Sequence, residues 1–492
     1  MKGPRIGGPV LAYGTMSADR SSTGGLMQKL LEGIASAAGG WVELRYQARR
    51  SKRLVVRNGQ VEESSSVDLI GVGVRAFVDG AFGFASTTDL TRSGIERAVE
   101  IARSTASAAA EAKKHRIPPL AKAELARGVF PLATADPLSD HSLEEKLELV
   151  SRIDALVRSS SDSIVSSEVS YEEMLDEKAI VTTDGASAHV FDAKPTFRVL
   201  AIAGKNGDQT RALETVGVTG GWSELFASKT PEELVERAVK LAVDQLGAPY
   251  PTGGAAQVIL DPDLVGVLSH EAIGHTVEAD FVLGGAITAG KIGETVASEL
   301  VTMCDSGASE YVPHAVGELP VDDEGVPTRR TVIIDAGVLR SYLHNRETAG
   351  HFEVAPTGNA RAYTYGDEPL IRMTNTYIEP GETPVGELIA GVKDGYYLRG
   401  LGQSGQADSN AEFMFGVREA RRVRDGKLAE LVRGVTISGN AFAALCSIDA
   451  VGNDFRWEHG AGFCGKGQRA KVDDGGPHVR CTLTIGGQQD AC

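Results

Sequence analysis

The spacing of apolar residues divides this chain of 492 residues into a first half where helices and strands take turns and a second half dominated by strands. LMQKLLEGIASA (26–37) carries apolar residues at helical intervals, and WVELRYQ after it alternates as a strand does. In RLVVRNGQVEES two runs flank Asn58-Gly59, and in VDLIGVGVRAFVDGAFGFAST two more flank Asp79-Gly80. Such dipeptides accept the positive φ angles of a type I′ turn, so two hairpins are expected. SGIERAVEIARSTASAAAEAKK (93–114) reads as a long Ala-rich helix.

A second segment opens on a helix over SLEEKLELVSRIDALVRS (142–159), followed by the strand-like runs KAIVTTDG, SAHVFDA and FRVLAIAG. The next helix has full punctuation. Thr230 is its N-cap, Pro231 its first residue and Glu233 completes a capping box, while Gly247 and Pro249 end it. GAPYPTGGAA (247–256) is the best linker candidate. Beyond it, AQVIL, RRTVIIDAGVLRSYL, FGVREARRVRDGKLAELVRGVTISG and HVRCTLTIGG are β runs hinged at Ala336-Gly337 and Asp425-Gly426. The expected fold is therefore α+β. An α/β amino-terminal region spans 1–250, with 1–135 and 136–250 as candidate subdomains, and a mainly antiparallel, barrel-like β domain over 251–492 carries one conspicuous helix.

Composition narrows the function classes. A net charge of −16 argues against a nucleic-acid partner or an anionic membrane surface. The local basic run Arg49, Arg50, Lys52, Arg53 and Arg57 reads as a solvated strand face. No stretch has the roughly eighteen apolar residues of a membrane span, and MKGPRIGGPVLAYGTMSADR lacks the apolar core of a signal peptide. The cysteines (Cys304, Cys446, Cys464, Cys481, Cys492) are scattered and odd in number, which fits free thiols in a reducing compartment, so a cytoplasmic protein is expected. Cys446 and Cys481 read as packing residues. Gly71-Val-Gly-Val-Arg-Ala76 imitates a dinucleotide fingerprint but sits inside an alternating strand with no helix opening on it. Its glycines are better explained by close packing.

The candidate chemistry lies in SHEAIGHTVEAD (269–280). Asp261 is placed to cap this helix, Pro262 suits its first turn, and Leu264, Val267, Leu268 and Ala272 form an apolar stripe. His270 and His275 are five residues apart, which in a regular α-helix puts them about 140° apart around the axis; a spacing of four gives about 40°. A π-bulge between them would restore a common face, as would a helix loosened at Gly274. Taken alone, a pair of helical histidines is more often satisfied by hydrogen bonds than by a metal. A hydrolytic zinc site needs three protein ligands and an open position, and a carboxylate beside them, here Glu271, would serve as general base. For the third ligand, Cys464 in GAGFCGKGQ (460–468) is the best of the cysteines, set among glycines and beside Lys466, which favours a thiolate. Its plain alternative is an inert, buried loop cysteine.

HEAIGHTVEAD (270–280), PTGNARA (356–362), RMTNTYIEPG (372–381), VGNDF (451–455) and GFCGKGQ (462–468), in this order, resemble the TldD/PmbA family of metallopeptidases, in its TldD-like, catalytically competent branch. The resemblance spans most of the chain, and His-Glu-x-x-x-His is that family's motif. It implies His270, His275 and Cys464 as ligands of one zinc ion per chain, with Glu271 catalytic. It also implies a two-part fold and a dimer, either a homodimer or a heterodimer with a PmbA/TldE-like chain. Implied substrates are small or unfolded peptides, including leader segments of modified peptides. Arg361 and Asn359 are candidates for substrate binding, with turn-shaping as the alternative. Glu278 and Asp280 are candidates for orienting a ligand imidazole, or else exposed helix-end carboxylates. In one departure, the family usually has one more residue between the lysine and the Gly-Gln of the cysteine loop, where Lys466 here runs directly into Gly467-Gln468. Other readings are hydrolysis of a small-molecule amide, a thiol enzyme with Cys464 as nucleophile, and a non-catalytic partner subunit. The presence of all four site residues speaks against the last.

Overall fold

The computed structural model describes residues 20–112, 116–132, 134–407, 411–458 and 463–487; the opening MKGPRIGGPVLAYGTMSAD and Cys492 lie outside them. Both expected hairpin turns are present. Asn58 and Gly59 take φ of 49° and 80°, and Asp79 and Gly80 take 45° and 78°, the left-handed pair that matches strand twist. They join Trp41–Arg57, Gln60–Val78 and Ala81–Thr87 into one antiparallel meander. Trp41–Arg57 also pairs along its length with Ile164–Thr182. The resulting sheet, eight-stranded among the described residues, continues from the far edge of Ile164–Thr182, where one end pairs with Ser187–Ala193 and so leads to Arg127–Phe130, and the other pairs with Thr196–Lys205 and so leads to Asp208–Gly217.

This one sheet serves two apolar cores, because its two longest pairing strands pass through both. Leu44 and Val181 pack with Leu31, Ile34, Ile95 and Ala98 of the helices Arg20–Ala37 and Arg92–Ala112. Leu54 and Val169 pack with Val150, Ile153, Leu234 and Ala238 of the helices Leu143–Ser159 and Pro231–Asp244. Both latter helices begin with the reciprocal capping pair, Ser142 with Glu145 and Thr230 with Glu233.

The basic run on Trp41–Arg57 is not simply solvated. Arg49 is only 7% exposed and is bonded to Asp176. Arg50 pairs with Asp68 at 2.8 Å, Lys52 with Glu173 at 3.0 Å, Arg53 with Glu63 and Glu172, and Arg57 with Glu168. The acids come from the two flanking strands: Glu63 and Asp68 from the hairpin partner that follows the run, and Glu168, Glu172, Glu173 and Asp176 from Ile164–Thr182, more than a hundred residues on.

In the second half, five strands close on themselves in the order Asp394–Ala407, Gly254–Leu260, Val479–Gly486, Thr436–Asn440 and Glu412–Arg424, the last pairing again with the first. All neighbours are antiparallel except Asp394–Ala407 beside Gly254–Leu260. This barrel and its α/β companion agree with the expected fold class. Barrel residues Val258, Leu260, Leu398, Phe413, Phe415, Ile437 and Leu483 share one core with Leu264, Val265, Leu268 and Ile273, so the motif segment packs directly on the barrel. A further sheet runs Val338–Leu339, Thr331–Asp335, Met303–Ser306, Asn375–Ile378, Asp473–Gly476, Arg456–Trp457. The expectation of a single conspicuous helix needs correcting. Arg346–Phe352, Val385–Ala390 and Ala441–Cys446 are helical too, each too short to set up a readable period. Cys446, expected in packing, is exposed at the end of the last of these, while Cys304 and Cys481 are buried. No helix among the described residues is long and apolar enough to cross a membrane.

The two halves meet over the Gly71-Val-Gly-Val stretch. A Cβ at Gly71 would stand 2.4 Å from the Tyr365 ring, and one at Gly73 2.3 Å from the Tyr365 carbonyl oxygen. The close approach inferred from these glycines is thus to a loop of the other half rather than to a neighbouring strand. Arg75 adds a buried bridge, donating to Glu43 at 2.7 Å and to Glu324 at 2.6 Å. Because a backbone oxygen cannot step aside, Gly73→Ala is expected to lower unfolding free energy by about 1–3 kcal/mol, measured as an earlier urea midpoint at unchanged slope.

Candidate metal centre

The Asp261 carboxylate accepts from the Leu264 N–H at 3.1 Å and from the Gly400 N–H at 3.0 Å, so one cap fixes both the start of the motif helix and its seat on the barrel. The helix is regular over Pro262–Val267, widens to a π turn over Leu268–Ile273 and tightens to 3₁₀ over Gly274–Val277. At the wide turn the Gly274 N–H reaches back to Ser269 O as well as His270 O. The extra residue cancels the angular offset of the five-residue spacing, and the His270 and His275 rings lie 5.3 Å apart, nearly perpendicular at 87°. Gly274 keeps helical angles (φ −52°, ψ −47°). It is glycine for want of room: a Cβ there would lie 2.0 Å from Met373 Sδ.

Cys464 arrives from a different direction, on the hairpin Phe463–Gly465 with Arg469–Lys471. Its turn is closed by the Lys466 N–H on Gln468 O at 3.0 Å, with Gly467 at φ 71°. Despite the short loop, Cys464 Sγ stands 3.3 Å from His275 Nε2. Donor atoms of His270, His275 and Cys464 all fall within 4.8 Å of one another. His270 is buried, and neither of its ring nitrogens has a hydrogen-bond partner among the described residues. An orphaned buried imidazole is rare unless something else satisfies it. Two imidazoles and a thiolate are a donor set that suits zinc, so the residues fit the ion.

Burial raises the Cys464 thiol, but the neighbouring His270 and His275 rings outweigh it and pull the group down to about 5. Lys466, expected to do this, is occupied elsewhere. Its ammonium donates to Glu278 at 3.1 Å, Asp280 at 2.7 Å and Ile371 O at 3.1 Å, and stands 4.1 Å from the centre of the Phe281 ring. Glu278 is fully buried and accepts from His275 Nδ1 at 2.9 Å, which leaves Nε2 facing the thiol. Asp280 reaches Lys466 rather than an imidazole. Glu271 is half-buried, with Oε2 3.7 Å from His275 Nε2.

Asn359 and Arg361 donate to the scaffold. Asn359 Nδ2 donates to Asp305 at 2.8 Å and Arg372 O at 3.0 Å. Arg361 donates to Met373 O at 2.6 Å and to Lys471 O, tying the segment behind Gly274 to the cysteine hairpin. Two supports escaped the sequence reading. Met373 gives no polar signal at all, and Lys466 was visible but assigned to the thiol instead of to Glu278 and Asp280.

Profiles of three consecutive family domains match the chain: PmbA/TldA metallopeptidase domain 1 over residues 42–106, the central domain over 136–246 and the C-terminal domain over 253–487. A protein of Methanothermobacter thermautotrophicus named as a metalloprotease is 37% identical over 443 residues, covering 89% of this chain and 94% of its own. The chain belongs to the PmbA/TldA metallopeptidase family. Another family relative, from Saccharolobus solfataricus and named as a zinc metalloprotease TldD homolog, is 32% identical over 348 residues, covering 70% of this chain and 76% of its own. Among solved structures of like fold is TldE from Thermococcus kodakarensis, with a TM-score of 0.73 at 18% identity, covering 96% of this chain and all of that one.

The contact between Gly274 and Met373 gives a direct check on what holds the wide turn. Gly274→Ala is expected to cost about 1–3 kcal/mol through overpacking. Adding Met373→Ala should recover part of that loss, so that the two changes are non-additive in a double-mutant cycle of thermal unfolding.

Proposed function

We propose that the chain is a zinc-dependent metallopeptidase acting on small or unfolded peptides, with His270, His275 and Cys464 holding one zinc ion and Glu271 as general base. The observation that carries this reading is the meeting of three donor atoms around an otherwise partnerless buried imidazole, with Glu271 at the edge of the cluster. The name of the S. solfataricus relative supports zinc as the ion. Zinc in this position supplies positive charge that polarises the scissile carbonyl.

The remaining steps belong to the chain's own groups. The Glu271 carboxylate, half-exposed while its neighbours are buried, takes a proton from the attacking water and passes it to the leaving amine. Glu278 holds His275 in the tautomer that turns Nε2 inward, and Lys466 holds the Glu278 and Asp280 carboxylates in place. Cys464 acts as a ligand in this scheme, not as a nucleophile. The catalytic domain spans 251–492 and the α/β region 1–250, and the fold shared with TldE supports a dimer, either of two copies or with a TldE-like chain. Free cysteines at Cys304, Cys446, Cys464 and Cys481 are in keeping with a reducing, cytoplasmic setting.

Metal analysis combined with peptide hydrolysis tests the assignment. Purified protein is expected to carry about one zinc per chain, and Glu271→Gln to keep the zinc while losing about 10²–10⁴ in kcat. Absence of stoichiometric metal from the wild type, or normal cleavage by the variant, would sink the reading. Glu278→Ala is expected to weaken zinc about 10–100-fold, as read by competition with a chromogenic chelator.

A further inference from the structure

Behind the cysteine hairpin lies a cavity of about 40 Å³ whose wall is crowded with cations. Three of them are matched: Arg49 by Asp176, Lys178 by Asp323 and Lys194 by Asp192. Arg361, Lys471 and Arg469 line the same space, and none of the three forms an ion pair with a carboxylate among the described residues. Arg469 is exposed and forms the rim, resting on the Phe463 ring. Arg361 and Lys471 are only 8% and 4% exposed.

Lys471 has a single hydrogen bond, to Thr196 Oγ1 at 3.0 Å, although an ammonium has three N–H groups to place. Burial and the Arg198 and Lys194 charges pull it down to about 7, against the nearby Asp473 and Asp192 carboxylates. Asp323, Asp192 and Asp305 likewise act on Arg361, but among the described residues neither cation has a carboxylate within ion-pairing distance, the partner a buried charge normally has. One water fills about 10–15 Å³, so the space is large enough for a small anion such as a carboxylate.

The position of this cavity relative to the metal centre follows from strand geometry. Cys464 faces Ala470 across the hairpin, and Phe463 faces Lys471. Side chains alternate along a strand, so the Lys471 ammonium projects from the face opposite the thiol.

We propose that this cavity binds a small anion of carboxylate class between Arg361 and Lys471, and that the bound anion braces the hairpin that presents Cys464. The carboxylate belongs either to a peptide substrate or to a free ion. Only the substrate source rests on the peptidase reading.

Formate is a probe small enough for the space. In calorimetric titrations of the full chain, formate is expected to bind saturably with one site per chain, and benzenesulfonate at matched ionic strength not to bind. Lys471→Met, which keeps the apolar stem, should weaken formate at least tenfold, as should Arg361→Gln. Circular dichroism confirms that each variant is folded. Crystals of the unmodified chain soaked in bromide should show an anomalous peak between the two side chains. Glu271→Gln protein should bind formate as the wild type does, which separates failure of this site from failure of the peptidase assignment.

The two sources are told apart with one peptide carrying a free or an amidated carboxyl terminus. If the substrate supplies the carboxylate, the free acid is cleaved with at least tenfold higher kcat/KM and formate competes with it. If the occupant is a free ion, formate leaves the ratio of the two peptides at one and slows zinc loss to a chelator. No saturable formate uptake, no bromide peak in the cavity, or unchanged affinity in folded Lys471→Met and Arg361→Gln would overturn the proposal.

Discussion

Two imidazoles five residues apart serve one point in space only where the helix between them widens by a residue, and most of the carboxy-terminal half is organised around holding that turn. A π turn sacrifices regular i→i−4 bonding and sits next to tighter 3₁₀ backbone, so an isolated helix of this sequence would relax away from it. Here its carbonyls are served locally, Val265 O by the Ser269 hydroxyl at 2.8 Å and Ile273 O by that of Thr276 at 2.8 Å. Its apolar side, Leu264, Val265, Leu268 and Ile273, is sunk in the barrel core. The burial of four such side chains, each about 1.5–3 kcal/mol, exceeds what one irregular turn loses in hydrogen bonding at about 1 kcal/mol per bond. Packing therefore decides the backbone, and the backbone decides where the rings point.

Around that turn, polar groups are buried in connected sets rather than singly. Glu278, Lys466 and Asp280 form one, with His275 at its inner end. Asp305 forms another, accepting from Asn359, from the Thr374 N–H and hydroxyl, and from Thr376. The four donors offset the cost of burying its carboxylate. Through Asn359 and Arg361 this second set reaches the segment carrying Met373, the residue against which Gly274 rests.

Legibility in the sequence followed the range of the interaction that fixes each feature. The hairpins at Asn58-Gly59 and Asp79-Gly80, the capping boxes at Ser142 and Thr230 and the cap at Asp261 are local, and their residues stand within a few positions of one another. The five-residue histidine spacing already demanded an irregular helix, with a π turn as one of two solutions. What stayed hidden depends on partners distant in sequence. The charge of Arg49 is met by Asp176 and the space beside Gly71 is filled by Tyr365, and no window of neighbouring residues contains either pair. Lys466 shows how adjacency misleads: two positions from Cys464 along the chain, it is held by Glu278 and Asp280, nearly two hundred residues earlier. Short helices such as Ala441–Cys446 fell below the length at which a period becomes visible, which left Cys446 misread as packing.

Cys464 and His275 are 189 residues apart in sequence, yet their donor atoms stand 3.3 Å apart; both belong to the carboxy-terminal half, and the amino-terminal half bears on the site through the hairpin that carries Cys464. The hairpin carrying Cys464 is itself small and, among the described residues, pairs with no larger sheet. It is held from outside: by Gln468, whose carbonyl and amide groups engage Arg372, the Tyr363 N–H and Glu368 O; by Arg361 on Lys471 O; and by Lys471 on Thr196 of the amino-terminal sheet. Gln47 of that sheet in turn donates to Tyr363 O at 3.4 Å. An ion held by all three side chains would couple its binding to the docking of the halves, since the amino-terminal sheet braces the hairpin that brings Cys464 to the histidines. Loosening the amino-terminal sheet from its partner therefore acts on the third donor first, while the two histidines, fixed by the barrel, stay where the helix puts them.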